Sequence, residues 1–281
     1  MDEKLNTMKH LKTQLTTLAF ATTFIFFGFS QQEIPPTKSE TTPTLRSLNN
    51  RAFKAGEQLE YRLHYGIINA GVAKLEVKPL AQKVAGRSVY HIVGTGRTKG
   101  AFDWVFKVRD KYETFLDVEG VFPWLFKRNV NEGGYKINQQ YTFAPTKNKV
   151  DNGEGKSFDA PHGVQDMLSA FYYARSIDYT KAKKGEIFTI WSFVDDELWP
   201  LKIRYLGKDQ IKVSGNKYKA LKFCPVVQEG RLFKDEEDVA VWISDDQNKI
   251  PLLAQGKVLI GSVKMELTKA KGLANPSARI D

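Results

Sequence analysis

The stretch EQLEYRLHYGI, residues 57–67, alternates between apolar and polar side chains. The apolar positions are Leu59, Tyr61, Leu63, Tyr65 and Ile67, and the positions between them carry Gln58, Glu60, Arg62 and His64. Because successive side chains of a β-strand point to opposite faces, this pattern predicts a strand with one face on a core. The same period of two returns along most of the chain, so this stretch decides the fold class.

Further segments with strand character follow, separated by short turns. They are predicted at residues 72–78, 88–98, 109–116, 135–143, 186–194, 198–206, 210–213, 217–226, 239–244 and 250–267, and one more opens at residues 123–126. Turn signals lie between them, at Asn69-Ala70-Gly71 and at Gly133-Gly134. Many strands joined by short turns are typical of an antiparallel sandwich or barrel.

One segment has the period of a helix. Residues 161–176 (PHGVQDMLSAFYYARS) place Val164, Met167, Leu168 and Phe171 on one stripe, and further apolar residues extend around most of the circumference. Such a helix is buried, and Pro161 suits its first position. The sequence therefore predicts a mainly β fold: a strongly curved antiparallel sheet or open barrel that encloses, or is flanked by, one main helix.

The N-terminal region has the pattern of an export signal. Lys9 and Lys12 precede residues 15–29, which are apolar or small throughout, and Gly28-Phe29-Ser30 fits cleavage near Ser30/Gln31. A retained membrane anchor is the alternative, although a spanning helix needs about 20 apolar residues. We predict a cleaved signal peptide at 1–30, a flexible Pro/Thr/Ser-rich leader at 31–50, a single β-rich domain at 51–270 and a polar tail at 271–281. The predicted location is the periplasm.

Charge and cysteine content limit the function classes. The net charge is +10, but the basic residues are dispersed and form no basic-aromatic cluster, so nucleic acid is not an expected partner. The charge favours peripheral association with anionic envelope surfaces, although dispersed lysines also protect strand edges. Cys224 is the single cysteine, which excludes an intramolecular disulfide and is interpreted as a buried structural thiol.

The sequence contains no recognised catalytic or metal-binding pattern, and His64, His91 and His162 lack ligand spacing. We therefore predict no catalytic residue, no metal and no cofactor. The pairs Asp195-Asp196 and Asp245-Asp246 could in principle bind a metal or transfer protons. They lie between predicted strands, where Asp bonds to its own backbone in turns, so we interpret them as hairpin corners.

Glycine and aromatic residues indicate a groove. Gly94 and Gly96 alternate on one strand face, which suggests a bend or a close approach by another group. An aromatic segment follows at residues 100–108. The candidate ligand-binding residues are Gly94, Gly96, Phe102, Trp104, Phe106 and Phe171. The alternative is that the helix itself fills this space.

Four charged residues lie in or beside the aromatic segment: Asp103, Lys107, Arg109 and Asp110. They are either a polar corner of the groove or surface charges that include one ion pair.

Three stretches, in order along the chain, resemble a known family. The first is residues 56–61 (GEQLEY) with Tyr65-Gly66 and Ala70-Gly71 after it; the others are residues 164–175 (VQDMLSAFYYAR) and 242–251 (WISDDQNKIP). Over residues 51–270 the chain resembles the exported bacterial proteins of domain-of-unknown-function family 3108. The resemblance implies a periplasmic, mainly antiparallel β protein of Gram-negative bacteria, with a curved sheet around a helix. In outline it is similar to lipoprotein carriers, and it implies no catalytic residues.

The leading hypothesis is a non-enzymatic envelope protein that binds a lipid or another apolar or amphipathic ligand in the concavity of the sheet. A structural or protein-interaction component without a ligand cavity, which binds an envelope protein partner, is the second hypothesis. A periplasmic hydrolase is the third; it would need several titratable groups in one cleft.

Overall fold

The computed structural model describes residues 44–79, 83–226, 239–257 and 262–280. The predicted signal peptide, its cleavage site and residues 31–43 of the predicted leader lie outside the described residues.

The described residues form fifteen strands and two helices. The strands are β1 Gln58–Tyr65, β2 Ile68–Lys78, β3 Lys83–Val84, β4 Arg87–Thr98, β5 Arg109–Asp117, β6 Pro123–Glu132, β7 Tyr135–Ala144, β8 Lys149–Asp151, β9 Ser157–Asp159, β10 Ile187–Val194, β11 Glu197–Val213, β12 Asn216–Pro225, β13 Val239–Ser244, β14 Pro251–Lys257 and β15 Ser262–Lys271. The helices are α1 Gly100–Val105 and α2 Met167–Ser176.

The strands form one large antiparallel sheet. Its spatial order is β10-β11-β12-β13-β14-β15-β1-β2-β4-β5-β6-β7-β8-β9, and the short β3 pairs only with β4. The sheet is not closed into a barrel. The predicted mainly β architecture with a curved antiparallel sheet around one main helix is therefore confirmed.

The two edge strands, β9 and β10, are joined indirectly. Gln165 lies against β10, where its backbone N–H donates to the Trp191 carbonyl at 2.8 Å and its backbone carbonyl accepts from the Phe193 N–H at 2.8 Å. The tip of the β10–β11 hairpin adds side-chain contacts, because the Asp196 carboxylate accepts from Asn152 Nδ2 at 2.9 Å. The Asp195 carboxylate pairs with Arg128 on β6. These contacts bring the two ends of the open sheet together.

The first strand follows its predicted alternation where it meets the core. Leu59 and Tyr61 are buried, whereas Ile67 is fully exposed because the strand has ended before it. The predicted turn at Asn69-Ala70-Gly71 is wrong. Tyr65 pairs with Ile68, so the turn lies at Gly66-Ile67, and Gly66 adopts the positive φ of 54° that favours glycine there.

The main helix begins later than predicted, at Met167. Asp166 is its N-cap: the carboxylate accepts from the backbone N–H groups of Leu168 and Ser169, and the Ser169 hydroxyl accepts from the Asp166 N–H. This capping box satisfies N–H groups that a helix start leaves free. Residues 161–165 are held elsewhere, since Gln165 pairs with β10. Pro161 is therefore not the first helical residue.

Helix α2 packs Leu168 and Tyr172 against one half of the sheet. Leu168 and Tyr172 are buried in a cluster formed mainly with residues of β2 and β4–β8. Phe53 contacts Tyr172 edge-to-face with ring centroids 4.8 Å apart. A second cluster, around Leu59, Tyr61 and Leu252, is formed mainly by strands of the other half.

Segments that flank the predicted domain contact it at both ends. Before residue 51, the Arg46 guanidinium donates to the carbonyl of Gly120 at 2.7 Å and stacks over the Tyr173 ring. After residue 270, the Asn275 N–H donates to Asn248 Oδ1 at 2.8 Å, and the Ala278 N–H donates to the Asp246 carboxylate at 2.6 Å. The packed unit therefore extends beyond residues 51–270 at both ends.

Candidate functional site

An apolar cavity of about 80 Å³ lies between helix α2 and the half of the sheet formed by β10–β15. From the helix it is lined by Met167, Ala170, Phe171, Ala174 and Arg175; from the sheet and its loops by Tyr179, Ile190, Leu201, Ile203, Phe223, Pro225, Val241, Ile243, Lys249, Pro251, Ala254 and Met265. Two of these seventeen side chains carry a formal charge. A concave apolar surface with few polar groups is the usual form of a small-molecule site.

Side-chain size on the helix explains why this side is open. Residues three and four apart lie on one helix face, so Met167, Ala170, Phe171 and Ala174 form one stripe toward the cavity. Two of the four are alanines, which leave space between the helix and the sheet. On the opposite side, Leu168 and Tyr172 fill the corresponding space.

The cavity communicates with solvent. Phe171, Ile203, Ile243 and Met265 are half-buried, whereas Ile190 and Ala254 are buried. The lining therefore includes both buried and partly accessible apolar residues. No helix of the described residues has the length and apolar composition to span a membrane.

An ion pair forms one end of the site. The Arg175 guanidinium donates to both Glu57 carboxylate oxygens, at 2.6 and 2.7 Å, and the two side chains are 2% and 0% exposed. It also donates to the carbonyls of Asn248 at 2.9 Å and Ala52 at 3.1 Å. Buried charges need such complete pairing to offset their desolvation. Arg175 is thus a structural cation that is already neutralised.

Lys249 is the other charged residue of the lining, and its ammonium makes no ion pair with any residue that the structure describes. Burial lowers the pKa of Lys249, while the nearby carboxylates of Asp178 and Asp246 act in the opposite direction. Both acids also accept backbone hydrogen bonds, from Thr180 and from Asn248. Lys249 is therefore the charged lining residue that no described ion pair neutralises.

Of the six residues predicted to line a groove, Phe171 alone lines this cavity. Gly94 lies under the helix, where an added Cβ would be 3.3 Å from Leu75 Cδ2 and 3.6 Å from Leu168 Cδ1. The alternative interpretation, in which the helix fills the space at the glycines, therefore holds for Gly94.

The other four predicted groove residues lie away from the cavity. Gly96 is half-buried, and an added Cβ there would be 4.0 Å from the Asp110 Cβ. Phe102 and Trp104 belong to α1, a helix that the sequence did not predict, and Trp104 is 90% exposed. Phe106 packs over Gly133 at the β6–β7 turn.

The charged residues near α1 form surface interactions. Arg109 donates to the Asp103 carboxylate at 2.6 and 2.9 Å, and this pair lowers the pKa of Asp103 to about 2. The interpretation as surface charges with one ion pair is therefore confirmed for Asp103 and Arg109. Asp110 instead shares a hydrogen bond with Glu132, whose pKa is raised to about 7 by burial and by the Asp110 charge.

Both aspartate pairs form hairpin corners, as predicted. Asp195 and Asp196 are the two turn residues between Val194 and Glu197, and both have the positive φ, 51° and 63°, that a type I′ hairpin turn requires. Asp246 accepts from the Ser244 hydroxyl at 2.8 Å and from the Asn248 N–H at 2.8 Å. Neither pair lies in the cavity lining. Cys224 is buried, as predicted.

Comparison with known proteins identifies the family. Residues 60–268 match the family described as "Protein of unknown function (DUF3108)". The chain belongs to the DUF3108 family. Among curated proteins, none matches the sequence.

Solved structures with similar outlines are distant from this DUF3108 protein. A β-barrel-like DUF1849 protein from Brucella abortus has 9% identity and a TM-score of 0.47, with 85% of this chain and 100% of that chain covered. A DUF1089-family protein from Pseudomonas aeruginosa has 10% identity and a TM-score of 0.38, with coverage of 67% and 90%. A proposed lipoprotein from Parabacteroides distasonis has 6% identity and a TM-score of 0.35, with coverage of 78% and 96%.

The three stretches that carry the family resemblance meet at the buried ion pair. Glu57 comes from the first stretch, Arg175 from the second, and the Asn248 carbonyl that Arg175 contacts from the third. Sequence reasoning missed this site because Glu57 and Arg175 are 118 positions apart. The available signal was Arg175 itself, a charged residue in a segment otherwise apolar around most of its circumference.

Proposed function

We propose that this DUF3108 protein is a non-enzymatic component of the bacterial cell envelope that binds an apolar or amphipathic ligand. The ligand occupies the cavity between α2 and strands β10–β15. The observation that carries this proposal is a partly open apolar cavity whose lining includes one cation without an ion pair, Lys249. The envelope location rests on the export-signal pattern of residues 1–30.

Burial of apolar ligand surface provides the binding free energy, at about 25 cal/mol per Å². A cavity of about 80 Å³ accepts only part of an acyl chain, since an apolar protein cavity that holds one benzene has a volume of roughly 150 Å³. Met167, Phe171 and Met265 line the accessible side. Methionine side chains adapt to irregular shapes, so a ligand enlarges the cavity by rotating them.

An anionic head group fits the charged end of the site. Lys249 lines the cavity and no described ion pair neutralises it, whereas Arg175 is occupied by Glu57. A carboxylate or phosphate on the ligand would accept from the Lys249 ammonium while the chain lies against Phe171 and Ile203. The ligand class proposed is therefore an amphiphile with a single apolar chain and an acidic head.

We also propose that the cavity catalyses no reaction. Four described carboxyl groups are buried, and each is already hydrogen-bonded: Glu57 to Arg175, Asp117 to Arg87, Asp166 to the N-terminus of α2, and Glu132 to Asp110. None of the four lines the cavity. A hydrolase would need such groups to converge on a bound substrate.

The test is native mass spectrometry of the protein purified from the envelope of its own host, together with extraction of bound lipid. We expect an adduct whose extract contains an acidic amphiphile. Ala174→Leu narrows the cavity and should lower the fraction with adduct, because Ala174 lies on the lining. Thr189→Leu is the matched control, since Thr189 is an exposed residue beside the lining residue Ile190.

A clean apo mass, together with equal behaviour of the Ala174→Leu and Thr189→Leu variants toward an added fatty acid, would contradict ligand binding. Chemical crosslinking in cells then distinguishes the second hypothesis. A stable envelope protein crosslinked to this chain, with no lipid bound, would support a structural or interaction role.

A further inference from the structure

Exposed apolar side chains are concentrated at one end of the sheet. Six large apolar residues of the described chain are exposed, and four of them lie at this end: Ile67, Ile68, Trp104 and Tyr135. Ile67 is 101% exposed and Trp104 90%. The remaining two, Ile187 and Ile280, lie on β10 and in the C-terminal segment. Single exposed apolar residues are common, but four at one end form a group.

Strand order places these four residues together. Strands β1, β2, β4, β5, β6 and β7 are consecutive neighbours and antiparallel, so the β1–β2 turn, the β4–β5 connection with α1 and the β6–β7 turn share one end. Backbone hydrogen bonds link the three connections: Lys99 N–H donates to the Ala70 carbonyl at 3.0 Å, and Gly133 N–H donates to the Lys107 carbonyl at 2.8 Å. We call these connections the apolar end.

Positive charge surrounds the apolar end. Arg97, Lys99, Lys107 and Lys136 are exposed, and none of them makes an ion pair with a described residue. The acidic Asp103 in α1 is neutralised by Arg109. The apolar end therefore combines protruding apolar side chains with cations that make no ion pair with a described residue.

We propose that the apolar end is a docking surface for an anionic lipid bilayer. Trp104 and Tyr135 suit the interface between head groups and acyl chains, where aromatic side chains with a polar atom are enriched. Ile67 and Ile68 at the tip of a hairpin enter the acyl region, and the four cations contact acidic head groups. A protein partner fits less well, because the apolar residues stand on three separate projections. This proposal does not depend on the proposed function of the cavity.

The test is vesicle co-sedimentation of the exported chain, with phosphatidylcholine vesicles that contain or lack phosphatidylglycerol. Residues 15–29 are apolar or small and would themselves bind vesicles if retained, so the N-terminus is determined by mass spectrometry and all variants share it. We expect salt-sensitive binding that requires phosphatidylglycerol. The double variant Ile67→Ser with Ile68→Ser should bind vesicles about tenfold more weakly. The double variant Lys99→Glu with Lys107→Glu should bind more weakly by at least about fivefold for each lysine replaced.

Matched controls lie on the other half of the sheet. Ile187→Ser removes an exposed isoleucine from β10, and Lys212→Glu with Lys219→Glu reverses two exposed charges on β11 and β12. Both should bind as the unmodified chain does. Circular dichroism spectra confirm that each variant is folded.

Fluorescence gives a second readout. Brominated phosphatidylglycerol should quench tryptophan emission, and Trp104→Phe should remove most of that quenching. Trp124→Phe should retain it, because Trp124 lies at the opposite end of β6. Binding without phosphatidylglycerol dependence, or equal binding of the Ile67/Ile68 and Ile187 variants, would overturn the proposal. A photo-crosslinker at residue 104 that captures one protein, with no vesicle binding, would overturn it in favour of a protein partner.

Discussion

The two sides of helix α2 face the same curved sheet but differ in packing. Toward β4–β8, Leu168 and Tyr172 are buried, and Gly94 allows Leu168 to approach the strand closely. Toward β10–β15, Ala170 and Ala174 leave a cavity of about 80 Å³. We call these the filled side and the open side. One helix therefore both closes a core and borders a cavity, according to the size of the side chains on each face.

The largest expected effect concerns the ion pair that joins the helix to the sheet. Glu57→Leu leaves the Arg175 charge buried and unpaired, which should lower the free energy of unfolding by about 3–5 kcal/mol. Urea unfolding followed by circular dichroism measures it. Glu57→Leu with Arg175→Met should recover much of the loss, because no buried charge remains. If the Glu57→Leu variant is as stable as the unmodified chain, the ion pair does not hold the helix on the sheet.

On the filled side, Leu168→Ala should cost about 2–5 kcal/mol, since it removes buried apolar volume from a packed core. On the open side, Ala174→Leu should change stability by less than about 1 kcal/mol, because space already exists there. Thermal and urea unfolding of the two variants compare the sides directly. Similar losses in both would mean that the open side is packed as tightly as the filled side.

We expect Asp166, the N-cap of α2, to make the free energy of unfolding depend on pH. Burial raises the pKa of this carboxyl to about 6 in the folded protein, against an ordinary value of 3.8. The folded state thus binds the proton more tightly, so the contribution of Asp166 is complete below about pH 4 and is lost as pH rises through 6. The difference corresponds to about 3 kcal/mol.

Asp166→Asn provides the test, because its amide oxygen still accepts from the helix N–H groups but does not titrate. Urea unfolding at several pH values should show the unmodified chain losing stability relative to this variant between pH 4 and 6. Parallel pH curves for the two proteins would exclude Asp166 as the group responsible.

The smallest effect is expected at Lys249 on the open side. Lys249→Met should leave stability nearly unchanged and weaken binding of a fatty acid about fivefold to tenfold, as expected for one charge-assisted hydrogen bond. Lys212→Met, at an exposed lysine of β11, is the control. Fluorescent fatty-acid titration measures both, with a neutral alcohol of equal chain length for comparison. Equal weakening for the acid and the alcohol would argue against a head-group contact.

Local patterns predicted the elements more successfully than their contacts. The alternation at Leu59 and Tyr61 indicated a buried strand face, and the aspartate pairs were correctly interpreted as corners. The predicted start of α2 was wrong because Gln165 pairs with Ser192 on β10, a residue that is distant from it in sequence. The first turn was predicted too late in the chain, at Asn69-Ala70-Gly71, and these residues lie inside β2. The turn is at Gly66-Ile67.

Aromatic content was a poor guide to the residues that line the cavity. Aromatic content selected Phe102, Trp104 and Phe106, but α1 carries the first two at the surface and Phe106 covers Gly133. The cavity instead uses ordinary strand residues such as Ile203, Ile243 and Met265. In sequence these residues have the pattern of any core strand, and only their position opposite Ala170 and Ala174 distinguishes them.

The sequence by itself determined the fold class, the presence of one main helix and the family, because these depend on periodicity and on short motifs that are local in the chain. Only the tertiary structure decided which side of the helix is open, which charge is neutralised and which apolar residues protrude together. Glu57 and Arg175 meet across 118 positions, and the apolar end joins three separate turns. Such contacts depend on strand order and on complementary side-chain volumes, which no local pattern encodes.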